Sequence, residues 1–295
     1  MLPLESVPNV SEGRDADAIA AVGEAFASRA RLLDVHSDAD HNRSVFTLVG
    51  AGGDEALVDS LVAGIAKAAE VVDLRTHEGA HPRVGAADVV PIVPIRPEDM
   101  ERACRLALSL GHRVGAELEL PVFLYGEVGD GRRPSFFRRG GPDGLQSRVD
   151  AGELTPDFGP TRLDPRAGAV LVGARKPLIA FNVVLATDDA GVARAVAAAV
   201  RESGGGLPGV QALGLQLASS GRAQVSMNLI DLEQAALHEV IEVVASEAAR
   251  RGVEMESAEL VGLLPATAVL KAAAGPLWLP ALDMTRVLEL NLLPE

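Results

Sequence analysis

Aromatic side chains are scarce in this chain: Phe, Trp and Tyr together make up 3% of its 295 residues, with one Trp and one Tyr. A core without many rings has to be built from Ala, Val and Leu, and an apolar content of 48% supplies them. Cysteine is down to one, Cys104, inside the helical pattern ERACRLALSL, which excludes an intrachain disulfide and a thiolate metal cage. No run approaches the roughly 18 apolar residues of a transmembrane helix. The opening MLPLESVPNVSEGRDADA lacks the charged-apolar-small order of a signal peptide, so a soluble, cytoplasmic protein is expected. Positive charge is also short. A formal net charge of −14 argues against general nucleic-acid binding and against docking on anionic lipid. A small anionic substrate stays open, because local charge decides that.

What is present alternates β-rich runs with helical patterns. LESVPNV predicts a first strand and DADAIAAVGEAFASRA a helix. LLDVHS and RSVFTLVG predict two strands, and DEALVDSLVAGIAKAAE a helix started by Gly52 and Asp54. VVPIVPI reads as a strand whose prolines predict a sheet edge or an early end. PEDMERACRLALSLGHRVGAELE is a clear helix with Pro97 in its first turn, and PVFLYG a strand. In the second half, PLIAFNVVLA, VQALGLQLA, AQVSMNLI and VEMESAEL predict strands; DDAGVARAVAAAVRES and LEQAALHEVIEVVASEAARR predict helices. That order is βαββαβ, a ferredoxin-like split unit. Residues 1–95 give a similar order, followed by a further helix and strand. The expected fold class is therefore α+β, with two ferredoxin-like sandwich subdomains in series, residues 1–177 and 178–295.

Between them, residues 126–176 break the alternation. This loop-rich stretch carries Arg132, Arg133, Arg138, Arg139, Arg148, Arg162, Arg166, Arg175 and Lys176, a local positive field on an acidic chain. It is either a solvated surface loop or a site where guanidinium forks take carboxylates or phosphates.

The segment HEGAH at 77–81 matches the zinc-protease pattern H-E-x-x-H. The chemistry behind that pattern needs a helix, so that residues i and i+4 share one face. Gly79 lies inside the motif and Pro82 follows it, which makes His81 extended or turn-like. A third ligand would have to come from His36, His41, His112 or His238, with no diagnostic spacing. The pattern therefore predicts no metal site. Two histidines remain on a loop feeding a strand, flanked by Arg83 and Asp88. Histidine moves protons near neutral pH and a carboxylate can fix its tautomer; the other reading is a turn whose histidines only cap backbone groups.

The whole run HEGAHPRVGAADVVPIVPI resembles the signature of the glutamate formimidoyltransferases (formiminotransferases), H-x-G-x-H-P-R-x-G-x-x-D-V-x-P-x-x-P. Each fixed position is met, by His77, Gly79, His81, Pro82, Arg83, Gly85, Asp88, Val89, Pro91 and Pro94. VPNVSEGRD, LLDVHSDADHNRSVFTLVG, PVFLYGE, PDFGP, GARKPLIAFNVVL, AQVSMNLID and ELVGLLP agree in order, so the resemblance spans about residues 1–270. Departures fall at Val10, at GGPDG (140–144) and at Thr155.

The resemblance implies transfer of the formimino group from N-formimino-L-glutamate to N5 of tetrahydrofolate, a step of histidine degradation. It places the acid–base role on His81. Substrate contacts would come from Arg83, Asp88, Asn42, Arg43 and Tyr125. The folate stretch would be Gly159, Pro160, Thr161, Arg162, Leu163, Asp164, Pro165, Arg166, Ala167 and Gly168. Tetrahydrofolate would be a co-substrate, in a groove between the subdomains, with no metal; the partners are small molecules and a second copy in a homodimer. With the chain ending at Glu295, no cyclodeaminase part is expected. The alternatives are formyl transfer between 5-formyltetrahydrofolate and glutamate in the same groove, and a folate-binding protein without catalysis.

Overall fold

The computed structural model describes residues 2–272 and Leu288. It is of mixed α+β class with two sheets, one of seven strands and one of four. The chain divides into two compact units, Met1–Lys176 and Pro177–Glu295. Among the described residues, no helix is long and apolar enough to cross a membrane.

In the first unit, β3 (Arg31–Asp38) and β4 (Arg43–Val49) form a hairpin. Beside β4 lies one interrupted strand, β1 (Glu5–Ser6) and β2 (Asn9–Val10), whose halves pair antiparallel with β4 and also with β5 (Ala87–Val93). The sheet continues in parallel through β7 (Val170–Ala174) to β6 (Val122–Gly126). The prolines of VVPIVPI predict an edge strand or an early end; β5 does stop at Val93, before Pro94, but it is interior. Pairing of Ser6 with Ile92 and Asn9 with Val89 leaves Pro91 opposite the break at Val7–Pro8, where its missing N–H is not needed. The Pro91 carbonyl accepts the Ser6 hydroxyl at 2.6 Å.

Three helices cover one face: α1 (Ala16–Phe26), capped by Asp15, then α2 (Asp54–Val71) and α3 (Met100–Glu117). The few aromatic rings are spent in the interior. Phe26, Phe46, Phe123, Phe137 and Phe181 are fully buried, so the core is anchored by phenylalanine as well as filled by Ala, Val and Leu. The opposite face carries a smaller core of Val89, Phe123, Phe137, Leu145, Leu163 and Leu171. Its cover comes from the Arg-rich connector, which is less loop-like than its sequence suggests. It forms α4 (Pro134–Phe137), α5 (Gly141–Asp150) and the interior strand β7.

The second unit runs β8 (Ile179–Leu185), α6 (Ala190–Val200), β9 (Val210–Gln216), β10 (Ala223–Leu229), α7 (Leu237–Ala249), β11 (Met255–Val261) and α8 (Ala266–Ala272). The strands of its sheet pair antiparallel, in the order β11-β8-β10-β9. Helix α7 begins later than LEQAALHEV predicts, because the Asp231 carboxylate accepts the Glu233 and Gln234 N–H groups and holds a turn there.

A close contact in the first core is testable. A Cβ on Gly64 of α2 would lie 2.0 Å from the Phe26 ring, which is fully buried and cannot yield. Gly64→Ala gains up to about 1 kcal/mol of helix propensity, while such overpacking costs about 1–3 kcal/mol or more. The clash should win, giving a lower urea midpoint; a raised midpoint would mean that the ring has room.

Candidate functional site

Between α2 and β5 the chain passes through a loop without helix, residues 72–86, and backbone contacts define its shape. The Arg83 guanidinium donates to three loop carbonyls, those of His77, Gly79 and His81, the last two at 3.3 Å. From the other side, Asn42, held at φ 46, donates Nδ2 to the Glu78 carbonyl at 2.8 Å. Its Oδ1 accepts the Gly13 N–H at 2.9 Å. A Cβ at position 79 would sit 2.4 Å from the His41 carbonyl oxygen, so glycine lets the loop lie against the β3–β4 turn. HEGAH is thus a loop pressed onto a turn. Among the described residues, no three His, Cys, Asp or Glu side chains gather in a metal-holding arrangement.

Hydrogen bonds assign the tautomers of both histidines, since a carbonyl can only accept. His77 Nε2 donates to the Asn42 carbonyl at 3.0 Å. His81 Nδ1 donates to the Pro82 carbonyl at 2.8 Å, which leaves Nε2 with a free lone pair. Burial, reinforced by the cations of Arg43 and Arg138, pushes His81 well below the ordinary 6.5, against an opposing pull from Asp88. His81 is therefore neutral at pH 7 and able to take a proton at Nε2. The buried His41 ring lies 6.0 Å from that of His81.

Behind the loop sits Asp88, wholly buried. Its direction is set by a β-bulge: Asn9 pairs with Val89 and Val10 with Ala87, so Asp88 is the extra residue on β5. Oδ1 accepts the Val84 N–H at 2.7 Å, while Oδ2 accepts Nη1 of Arg43 at 2.9 Å and Nη2 of Arg138. Burial alone would raise this carboxyl, but Arg138, Arg43 and the Val84 N–H bring it down to about 2. Arg43 is fixed further by its Nε bond to Asn9 at 2.9 Å. Tyr125 is buried on β6, with its ring packed where a Cβ on Gly173 would otherwise stand, and burial pushes its hydroxyl up to about 12.

His81, Arg83, Asp88, Asn42 and Arg43 thus lie in one connected cluster, and the charges of Asp88 and Arg138 also act on Tyr125. Sequence patterns singled out neither Arg138 nor His41 for this cluster. Arg138 was one of nine connector cations, and only the ion pair to a residue 50 positions away sets it apart.

The stretch from Gly159 to Gly168 forms an exposed ribbon with few anchors. Gly159, Pro160, Thr161, Arg162, Asp164, Pro165 and Arg166 are exposed; Leu163, Ala167 and Gly168 are buried. Asp164 Oδ1 accepts the Arg166 and Ala167 N–H groups at 2.7 Å each. The ribbon's end bridges Gly168 to Gly85, which ties it to the strand leaving the histidine loop. A Cβ on Gly168 would lie 2.1 Å from the Val84 oxygen, so these backbones meet at a distance only glycine allows.

The N-terminal subdomain of the formiminotransferase domain matches residues 3–175, and the formiminotransferase domain matches residues 180–277. The chain belongs to the formiminotransferase family. It is 40% identical to a glutamate formimidoyltransferase of Thermoplasma acidophilum, over 97% of this chain and 96% of that protein. To a glutamate formimidoyltransferase of Streptococcus pyogenes it is 37% identical, over 92% and 91%. The formimidoyltransferase-cyclodeaminase of Rattus norvegicus is 39% identical over 92% of this chain, which corresponds to 52% of that protein.

The Asp88 cluster gives this formiminotransferase fold an acid dependence. A carboxyl depressed to about 2 contributes stability in full above the ordinary 3.8, and that contribution is lost as pH falls through 2. Asp88→Asn should cost about 3–5 kcal/mol at pH 7 by leaving two guanidinium groups without their anion. Its urea midpoint should then change less than the wild type's between pH 6 and pH 3. Equal midpoints at pH 7 would contradict the role of Asp88.

Proposed function

We propose that this protein is a glutamate formimidoyltransferase, transferring the formimino group of N-formimino-L-glutamate to N5 of tetrahydrofolate and releasing glutamate. The observation that carries the proposal is His81: neutral, with Nδ1 held by the Pro82 carbonyl and Nε2 free to accept a proton. The named relatives support the same reaction class. N5 attacks the formimino carbon, and the tetrahedral adduct must shed the N5 proton and expel the glutamate nitrogen. His81 Nε2 takes the first proton and returns it to the leaving nitrogen. Such help is typically worth about 10²–10⁴-fold. Orientation of two bound substrates supplies a further large share.

Arg43 and Arg83 bring positive charge to substrates rich in carboxylates, with Asn42, Asp88 and Tyr125 shaping the same site. Arg83 is spent largely on loop carbonyls, so its main contribution is to hold His81 in place. The ribbon from Gly159 to Gly168 is proposed as the folate contact. Its exposed backbone and its tie to the histidine loop at Gly85 support this. The reaction needs no metal. Part of the same proposal are ferredoxin-like subdomains, 1–177 and 178–295, working in a cytoplasmic homodimer. The strand order β11-β8-β10-β9, which is 4-1-3-2 within the second unit, supports that reading.

Purified protein supplied with formiminoglutamate and tetrahydrofolate should form 5-formiminotetrahydrofolate. His81→Ala should lower kcat by about 10²–10⁴-fold while folate binding persists. The acid limb of kcat/KM should lie below pH 6.5, because the base is lost only when pH falls through the lowered His81 pKa. Wild-type turnover in His81→Ala would defeat the assignment, and a preference for N-formylglutamate would redirect it to formyl transfer.

A further inference from the structure

We propose that Arg138, beside Arg43, is the receptor for the α-carboxylate of the amino-acid substrate and so determines specificity in this reaction; the inference rests on the function proposed above. The cluster behind His81 contains two guanidinium groups and one carboxylate. The side chains of Arg43, Arg138 and Asp88 are only 8%, 14% and 0% exposed, and both cations address the same oxygen, Oδ2. One anion facing two cations leaves net positive charge where water scarcely reaches, a costly arrangement until a second anion completes it.

Unused donors mark where that anion would bind. Arg138 commits Nη2 to Asp88, and its Nε is buried and meets no acceptor among the described residues. Arg43 commits Nε to Asn9 and Nη1 to Asp88, leaving Nη2. The crowding of the cations is visible in Arg43 itself. Burial lowers its guanidinium to about 10 against the pull of Asp88, and the Arg138 charge adds to the lowering.

Geometry of the reaction selects which carboxylate is meant. His81 acts on the nitrogen that leaves with glutamate, and the same two cations act on His81. The α-carboxylate carbon is two bonds from that nitrogen, the γ-carboxylate carbon four. The carboxylates of folate are separated from N5 by the whole aminobenzoyl arm. The α-carboxylate is therefore the one held nearest the cations when His81 reaches the reacting nitrogen. Its arrival would also offset the charges that depress His81, making the base stronger when substrate is bound.

The test compares formiminoglutamate with its α-carboxamide and γ-carboxamide analogues, using wild type, Arg138→Gln and Arg138→Lys. The wild type should lose at least about 30-fold in kcat/KM with the α-carboxamide, mainly through KM, and much less with the γ-carboxamide. Arg138→Gln should handle the parent substrate as poorly as the α-carboxamide, so its ratio between the two approaches one. Arg138→Lys should keep part of the preference, lacking the planar fork. Because Arg138→Gln leaves Arg43 and Asp88 as a neutral pair, it should fold; circular dichroism checks this, and Arg138→Lys gives the second measurement of the ratio. A wild-type α-preference that survives in Arg138→Gln would overturn the inference. Calorimetric binding of glutamate and of its α-carboxamide separates this inference from the reaction. Loss of α-selectivity in Arg138→Gln supports it even if no formimino transfer occurs. Transfer by a wild type blind to the α-carboxylate refutes it and leaves the reaction standing.

Discussion

The Asp88 carboxylate is the point on which the rest of the site depends. Three parts of the chain converge on it: Arg43 from β4, Arg138 from the end of α4, and the Val84 N–H from the histidine loop. Arg43 positions the turn beneath the loop, Val84 the strand leaving it, and Arg138 the connector that covers the second face. A buried carboxylate without these donors would be far too costly, and the donors without the carboxylate equally so. Mutual need of this kind binds the turn, the loop and the connector to one another, and the Arg43 and Val84 bonds alone keep Asp88 paired. The cluster also sets the electrostatics of His81, whose low basicity reflects burial and the excess of cation over anion around it.

Much of the site was legible because its chemistry is nearly contiguous. His77 to Asp88 fall within a dozen positions, and Gly79 and Pro82 ruled out the helix that a zinc pair would need. The side-chain roles were less legible. Arg83 beside a histidine reads as an anion contact, yet most of its bonds go to loop carbonyls, and nothing in sequence spacing distinguishes those uses. Arg138 could not be separated from its neighbouring arginines, three of which (Arg132, Arg139 and Arg148) instead surround the Phe136 ring.

Of the two outcomes the prolines predict, the edge position fails because two local irregularities cancel, while the early end holds at Val93. Pro91 alone demotes its strand to an edge, and Pro8 alone interrupts its neighbour. Placed opposite each other, the missing donor and the break make an interior strand possible. Strand β7 was overlooked because AVLVGA sits among loop signals and cations, while its partners β5 and β6 lie far back in the chain.

A loop held by its carbonyl oxygens is indifferent to the side chains it displays. Arg83 and Asn42 grip the backbone of His77, Glu78, Gly79 and His81, while the side chains of Glu78 and Ala80 face solvent. Variation can therefore accumulate at positions 78 and 80 without moving the His81 ring. The glutamate that completes the zinc-protease spelling stands at one of the two places where this loop tolerates almost any letter.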